Sequence, residues 1–333
     1  MNKPFFLRPA GKDYLWGGNR LNDDFSKGID MEPLAETWEC STHPDGPSMV
    51  ASGVFAGREL RSVLHEYPAY LGTHPRKVLQ SHGLSDDQLP ILVKLIDARK
   101  DLSIQVHPDD AYAAEHGLGL GKTEMWYVLD ASRDAKLVYG LNRDMSKEEL
   151  CKAVEDGTVG KCLQKVPIRK DDVFYIPAGT IHAIGAGALV AEIQESSNLT
   201  YRLYDYGRLG KDKKPRELHV EQALAVADLR EKERPTQPMR VLKYRRGCAT
   251  ELLCRCEYFM VERVLLNTER CRELVAYKSG SGSFAVLLCV DGCGMIGWGG
   301  ENHPFFKGDC VFVPADSTDC VLHGRAQLLK VGG

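Results

Sequence analysis

Two short runs carry side chains whose types and spacing suit metal chemistry. Residues 102–110 read LSIQVHPDD and residues 122–127 read KTEMWY. Gln105 and His107 stand two apart in a strand-like stretch, and alternate residues of a strand share a face. They therefore project together, while Ile104 and Val106 turn to apolar packing. Glu124 follows at a hairpin's remove. His182 comes later, directly behind a strand and the run PAGTI, whose Pro177 and Gly179 punctuate a tight turn. A single histidine after a turn is more often surface or packing than ligand. Gln105, His107, Glu124 and His182 together make a metal-ligand set. An amide oxygen, imidazoles and a carboxylate without thiolate suit Zn²⁺, one per chain, or another divalent transition ion.

Charged residues near these runs are candidates for a polar pocket. Lys94 sits inside the aliphatic run ILVKLIDA. Such a lysine must find a polar pocket, snorkel or lose its charge. It points into the metal cavity if its strand lines that cavity; the alternative is an edge-strand lysine that blocks aggregation. Lys122 lies two residues before Glu124, on its side of the strand. Glu192 shares a face with Val190 and Gln194, and serves either as a base or as a charge partner for Arg202. Arg202 and Arg208 bring permanent cations. Glu36 and Glu39, in AETWECS, read as solvated charges on a strand edge.

Composition narrows the setting. The chain has 333 residues, 43% of them apolar and 27% charged, which is ordinary for a water-soluble globular protein. A net charge of −3 leaves no footprint for nucleic acid and no polybasic membrane patch. No apolar stretch approaches a membrane span of about 18 residues. The first residues are too short and interrupted for a signal peptide. These features predict a cytoplasmic enzyme or binding protein, monomer or homodimer, without a nucleic-acid or membrane partner. Eleven cysteines without a Cys-x-x-Cys pair read as reduced thiols used as small apolar residues. The spacing of Cys248, Cys254, Cys256 and Cys271 fits no standard zinc pattern.

The elements that must position these groups are mainly strands. Residues 57–90 read as helical or irregular, and residues 146–158 as a helical insert opened by the capping box of Ser146 and Glu149. Asp109 caps a short helix that runs to Gly117, and residues 218–229 form another helix candidate. The polar, proline-punctuated run EKERPTQP, residues 231–238, reads as a linker. It divides residues 1–230, with the metal ligands, from residues 239–333. The second part echoes the first: DVFYIPA at 172–178 aligns with DCVFVPA at 309–315. Carried on, the alignment sets Asp316 opposite Gly179 and Asp319 opposite His182. The second copy keeps the turn and lacks the histidine. Two barrels follow, one bearing metal and one structural.

Several pieces resemble one family closely. They are AETWE at 35–39, residues 102–110 and 122–127, IPAGTIH at 176–182 and YRLYD at 201–205. Nearly all of residues 1–230 resembles the type I mannose-6-phosphate isomerases of the short bacterial form, within the cupin superfamily. Residues 239–333 match only in general barrel pattern. The resemblance implies two cupin-type double-stranded β-helix (jelly-roll) barrels with helical insertions. It implies zinc held by Gln105, His107, Glu124 and His182, or by the last three alone. It implies a sugar phosphate pocket lined by Lys94, Lys122, Glu192 and Arg202, and interconversion of mannose 6-phosphate and fructose 6-phosphate through an enediol. Arg202 would stabilise a developing oxyanion or grip phosphate, Lys122 and Lys94 would bind phosphate or shuttle protons, and Glu192 would be the base. One departure stands out: Ser197-Asn198-Leu199-Thr200 replaces the family's common Ser-Asp-Thr-Thr. An iron-dependent oxygenase and a non-catalytic sugar-phosphate sensor are the competing classes. Lysines beside a glutamine ligand favour a polyanionic substrate over oxygen activation.

Overall fold

The computed structural model describes residues 2–210, 213–271 and 273–333. The run ILVKLIDA forms the strand Ile91–Ala98, buried at every position. A strand buried on both faces belongs in the middle of a covered sheet. It pairs antiparallel with Ala188–Glu195 on one side and with Glu36–Cys40 on the other. Glu124–Ala131 and Val173–Ile176 extend the sheet in one direction, and Ala10–Lys12 ends it in the other. A second sheet of five strands runs in the order Tyr201–Tyr204, Ile104–Val106, His182–Ile184, Lys136–Leu141 and Leu163–Pro167. Ile96, Trp126 and Val190 of the first sheet pack with Leu137, Val166 and Ile184 of the second. The result is the expected mainly-β, jelly-roll barrel.

A third sheet, of ten strands, holds the C-terminal part. Its long strands Ala285–Trp298 and Cys320–Gly332 lie side by side over most of their length. Two of its strands come from the start of the chain. Phe5–Arg8 pairs with Cys310–Val313, and Met49–Val50 pairs with Phe5–Arg8. Sequence order alone does not reveal this exchange. Its cause is apolar: Phe5 is buried and stacks on Phe312 at 5.2 Å. Phe5, Val93, Tyr127, Phe312 and Leu329 belong to one core cluster that joins the sheets.

The helices follow their local signals. Leu60–Glu66 and Thr73–Ser81 occupy the stretch expected to be helical. Lys147–Glu155 begins at the capping box, with both reciprocal bonds between Ser146 and Glu149 made. Asp109 caps Asp110–Glu115 through the amide of Tyr112, and Val220–Val226 is the last helix. The repeat is also present in the backbone. Asp171 and Gly308, just before the two matching strands, both have positive φ, and so do Gly179 and Asp316 just after them. All eleven cysteines are free, and Cys40, Cys248, Cys289, Cys310 and Cys320 are buried as apolar filling. No helix among the described residues is long and apolar enough to cross a membrane.

Candidate metal centre and substrate pocket

Both sheets of the first barrel contribute to one site. On the five-stranded sheet, His182 opens its strand directly opposite Gln105, and Arg202 lies opposite Gln105 on the other flank. His107 follows one residue beyond Ile104–Val106 and is buried. Glu124 opens its strand on the other sheet, opposite Gln194 and Ile176. The expected hairpin between the His107 and Glu124 runs is therefore not formed. The chain crosses from one sheet to the other through the helix Asp110–Glu115, and this places the carboxylate across the barrel from the imidazoles.

His107, Glu124 and His182 converge, with ligand atoms all within 4.8 Å of one another. Among the described residues this is the one such group of His, Cys, Asp or Glu side chains. Glu124 Oε1 lies 2.9 Å from His107 Nε2 and 3.1 Å from His182 Nε2. The His182 Nδ1 sits 2.8 Å from the Thr180 carbonyl oxygen. That acceptor places an N–H at Nδ1 and turns Nε2 towards the carboxylate. Burial and then Lys122 push His107 down to about 3, so its imidazole is neutral. Burial opposes charge on Glu124, yet Lys122 and His107 hold its carboxyl well below the usual range. Both Glu124 oxygens are buried without a hydrogen-bond donor. Two imidazole nitrogens and a carboxylate oxygen gathered at hydrogen-bond distance in a buried group fit a shared cation. An N/N/O donor set without sulfur suits a divalent ion of the zinc type.

Gln105 is at the edge of this group. Its Nε2 lies 3.4 Å from His182 Nε2. A half-turn of the amide about its last bond puts Oε1 in that place, where it would face the same ion. Lys122 Nζ stands 3.1 Å from His107 Nε2 and 3.5 Å from Glu124 Oε2.

A cavity of about 250 Å³ opens beside the group, lined by Lys94, Gln105, Lys122, Glu192 and Arg202. Lys94 is buried between two carboxylates, 3.1 Å from Glu192 Oε1 and 3.9 Å from Glu36 Oε2. Burial opposes its charge; Glu192 and then Glu36 outweigh that and raise its pKa. Each carboxylate is held in turn by an indole, Trp126 Nε1 donating to Glu192 at 2.9 Å and Trp38 Nε1 to Glu36 at 2.8 Å. Burial and the Glu124 carboxylate push Glu192 up to about 7. Arg202 is half-buried, and its Nη1 donates to the Glu217 carbonyl at 2.6 Å.

The structure corrects two sequence expectations. Glu36 and Glu39 are buried and not solvated edge charges. Glu36 lines the cavity, and Glu39 pairs with the buried Lys27 at 2.7 Å. The reason is that Glu36–Cys40 is an interior strand, paired on both sides. Arg208 turns away from the cavity to bind Asp205 and the Asp101 carbonyl. Arg216 takes a place in the lining that sequence reasoning did not assign, with Tyr14, Trp16 and Ser103. Of these four only Ser103 lies in a quoted run, and the folding of distant segments alone identifies Tyr14, Trp16 and Arg216. Asn198 lines the cavity too, and its Nδ2 donates to Asp45 at 2.8 Å.

Comparison with known proteins places this geometry. Residues 5–124 match the family described as phosphomannose isomerase type I, catalytic domain. Residues 249–332 match mannose-6-phosphate isomerase, cupin domain. The mannose-6-phosphate isomerase of Streptococcus mutans is 35% identical over 329 residues, covering 99% of this chain and 98% of that protein. The mannose-6-phosphate isomerase ManA of Bacillus subtilis is 35% identical over 331 residues, covering 98% of each. The crystal structure of the mannose 6-phosphate isomerase from Bacillus subtilis superposes with a TM-score of 0.86 at 34% identity, covering 99% of both chains. With a full-length match at this identity, the chain belongs to the type I mannose-6-phosphate isomerase family.

Proposed function

We propose that this chain is a zinc-dependent aldose–ketose isomerase that interconverts mannose 6-phosphate and fructose 6-phosphate. The observation that carries the reading is the buried group of His107, Glu124 and His182 beside a cavity lined by two lysines and two arginines. His107, Glu124 and His182 would hold Zn²⁺, and Gln105 would complete the set. The ion would act as an electrophile or orient substrate hydroxyls.

The reaction moves a proton between carbon 2 and carbon 1 of the sugar through an enediol. Glu192 is the proposed base, since a carboxyl near neutral pKa both accepts and returns a proton at working pH. The Trp126 N–H on its other oxygen fixes its direction. Lys94, held charged between Glu192 and Glu36, would return a proton to or steady the oxygen that gains charge. Lys122 would do the same from the metal side, or would bind phosphate. Arg202 and Arg216 would grip the phosphate dianion, which their permanent charge and forked donors suit. Every residue of this set lies within the first 230, and in our reading residues 239–333 serve as scaffold. Eleven free cysteines favour a reducing, cytoplasmic setting.

A coupled assay on mannose 6-phosphate tests the reading. Activity is expected to vanish on chelation and to return with zinc. Bound iron with oxygen uptake, or sugar-phosphate binding without turnover, would overturn it.

A further inference from the structure

A cluster of ionisable groups lies outside the pocket, on the far side of the ligand-bearing strands. Glu195 ends the strand Ala188–Glu195 and is buried. Its Oε1 accepts the Thr123 N–H at 2.6 Å, and its own N–H donates to the Thr123 carbonyl at 3.0 Å. Its Oε2 is buried with no donor. The group that faces it is another carboxylate, Asp110. Asp110 is already well supplied: Oδ1 accepts from Gly121 N at 2.7 Å, and Oδ2 accepts from Tyr258 Oη at 2.6 Å and lies 2.9 Å from His82 Nε2.

We propose that Glu195 and Asp110 share one proton as an acid pair, and that the pair is a positioning clamp for the metal-bearing strands. Two carboxylates in contact cannot both stay charged away from water, and a proton between them turns repulsion into a hydrogen bond. The proton belongs on Glu195. Burial first, and Asp110 second, push its carboxyl up to about 9. Burial raises Asp110 too, but Tyr258 and the Gly121 amide outweigh that and lower it. The other ionisable groups around the pair are Tyr175 and Cys256, near Glu195, and Glu257, near His82 and Tyr258. Among the groups named, only His82 brings positive charge when protonated, and it faces Asp110.

The clamp acts through backbone. Thr123 and Gly121 flank Lys122, and Thr123 precedes Glu124. Asp110 stands three residues beyond His107, and the Lys122 amide donates to the Pro108 carbonyl between them at 2.9 Å. Gly121 passes so close that a Cβ there would meet the Asp109 carbonyl carbon at 2.5 Å. The shared proton thus joins the segment behind His107 to the segment before Glu124. Tyr258, from the C-terminal part, and His82, from the end of a helix, both fasten to the same carboxylate.

Glu195→Gln tests this, because an amide reproduces the protonated acid at every pH. Infrared difference spectra of the full chain at neutral pH are expected to show a protonated-carboxyl stretch that Glu195→Gln removes; a spectrum unchanged by the substitution would overturn the pair. Glu195 has its folded pKa raised, so its contribution is full below the ordinary carboxyl value and is lost as pH rises towards about 9. The melting temperature of Glu195→Gln should therefore gain on that of the unsubstituted protein from pH 5 to pH 9 and then stop gaining. A gap that does not change with pH contradicts the shared proton.

The clamp itself is read by zinc affinity in chelator competition at pH 7. Glu195→Gln should stay within about twofold and Glu195→Ala should lose about 10-fold; equal affinities would leave no positioning role. Should the alanine variant not fold, the spectra and the pH series decide. The affinity arm alone rests on the proposed metal site. A protein that binds no zinc but shows the infrared band and the pH-dependent gap defeats that reading and keeps the pair.

Discussion

In the first barrel part of the space between the sheets is a polar cavity of about 250 Å³, with buried lysines and carboxylates on its wall. In the C-terminal sheet the strand Cys310–Val313 repeats Val173–Ile176, yet the space beside it is only about 10 Å³. Leu287, Ile296, Val311, Leu322 and Leu328 fill it. The same strand-and-turn plan is thus used once to hold charge and once to exclude water. Burying ions costs stability unless each finds a partner, whereas filled apolar interiors contribute it. The two regions share a core through Phe5 and Phe312, so the filled one steadies the hollow one.

Substitutions can break or sharpen this contrast. The largest effect is expected from His182→Ala. It should lose bound zinc and lower kcat at least ~100-fold while far-UV circular dichroism stays unchanged, because the apolar cores do not depend on the ion. Full activity without metal would end the proposed role of the first barrel. Arg202→Ala should lower kcat/KM by more than ~10-fold, as loss of a charge-assisted contact implies. Steady-state kinetics check this, and unchanged values would remove Arg202 from the site.

Leu328→Ala probes the other region. Leu328 is buried in the filled interior, and the cavity left behind should cost about 2–5 kcal/mol in urea unfolding with KM unchanged. A changed KM would show that the filled sheet reaches into catalysis. The smallest effect belongs to Asn198→Asp. It sets a second carboxylate against Asp45 in place of the present hydrogen bond, in an exposed position, and should shift KM by roughly twofold. A large change would make this loop, and not the barrel wall, the seat of substrate preference.

Much of the fold was legible because its signals are local. The Ser146 capping box, the Asp109 cap and the Pro177–Gly179 turn act over a few residues, and the structure forms all three. The aliphatic run around Lys94 announced a buried strand for the same reason. The ligand types in the first barrel were legible as chemistry, since amide, imidazole and carboxylate without thiol narrow the ion. Glu36 and Glu39 were misread because alternation shows which residues share a face and not whether another sheet covers it. The sequence reading singled out Arg208 and passed over Arg216, although both are cations in one irregular segment. Asp205 engages both, yet only Arg216 keeps a place in the cavity wall.

The sequence by itself determined where the strands, caps and turns fall, and which side chains can bind a metal, since these depend on near neighbours and on chemical type. Tertiary structure alone decided that Glu124 faces the imidazoles from the opposite sheet, that the first strand completes the last one's sheet, and that Glu195 meets Asp110. Those contacts join residues 17 to more than 300 positions apart. Their formation depends on how whole sheets pack, a property that no short stretch of chain carries.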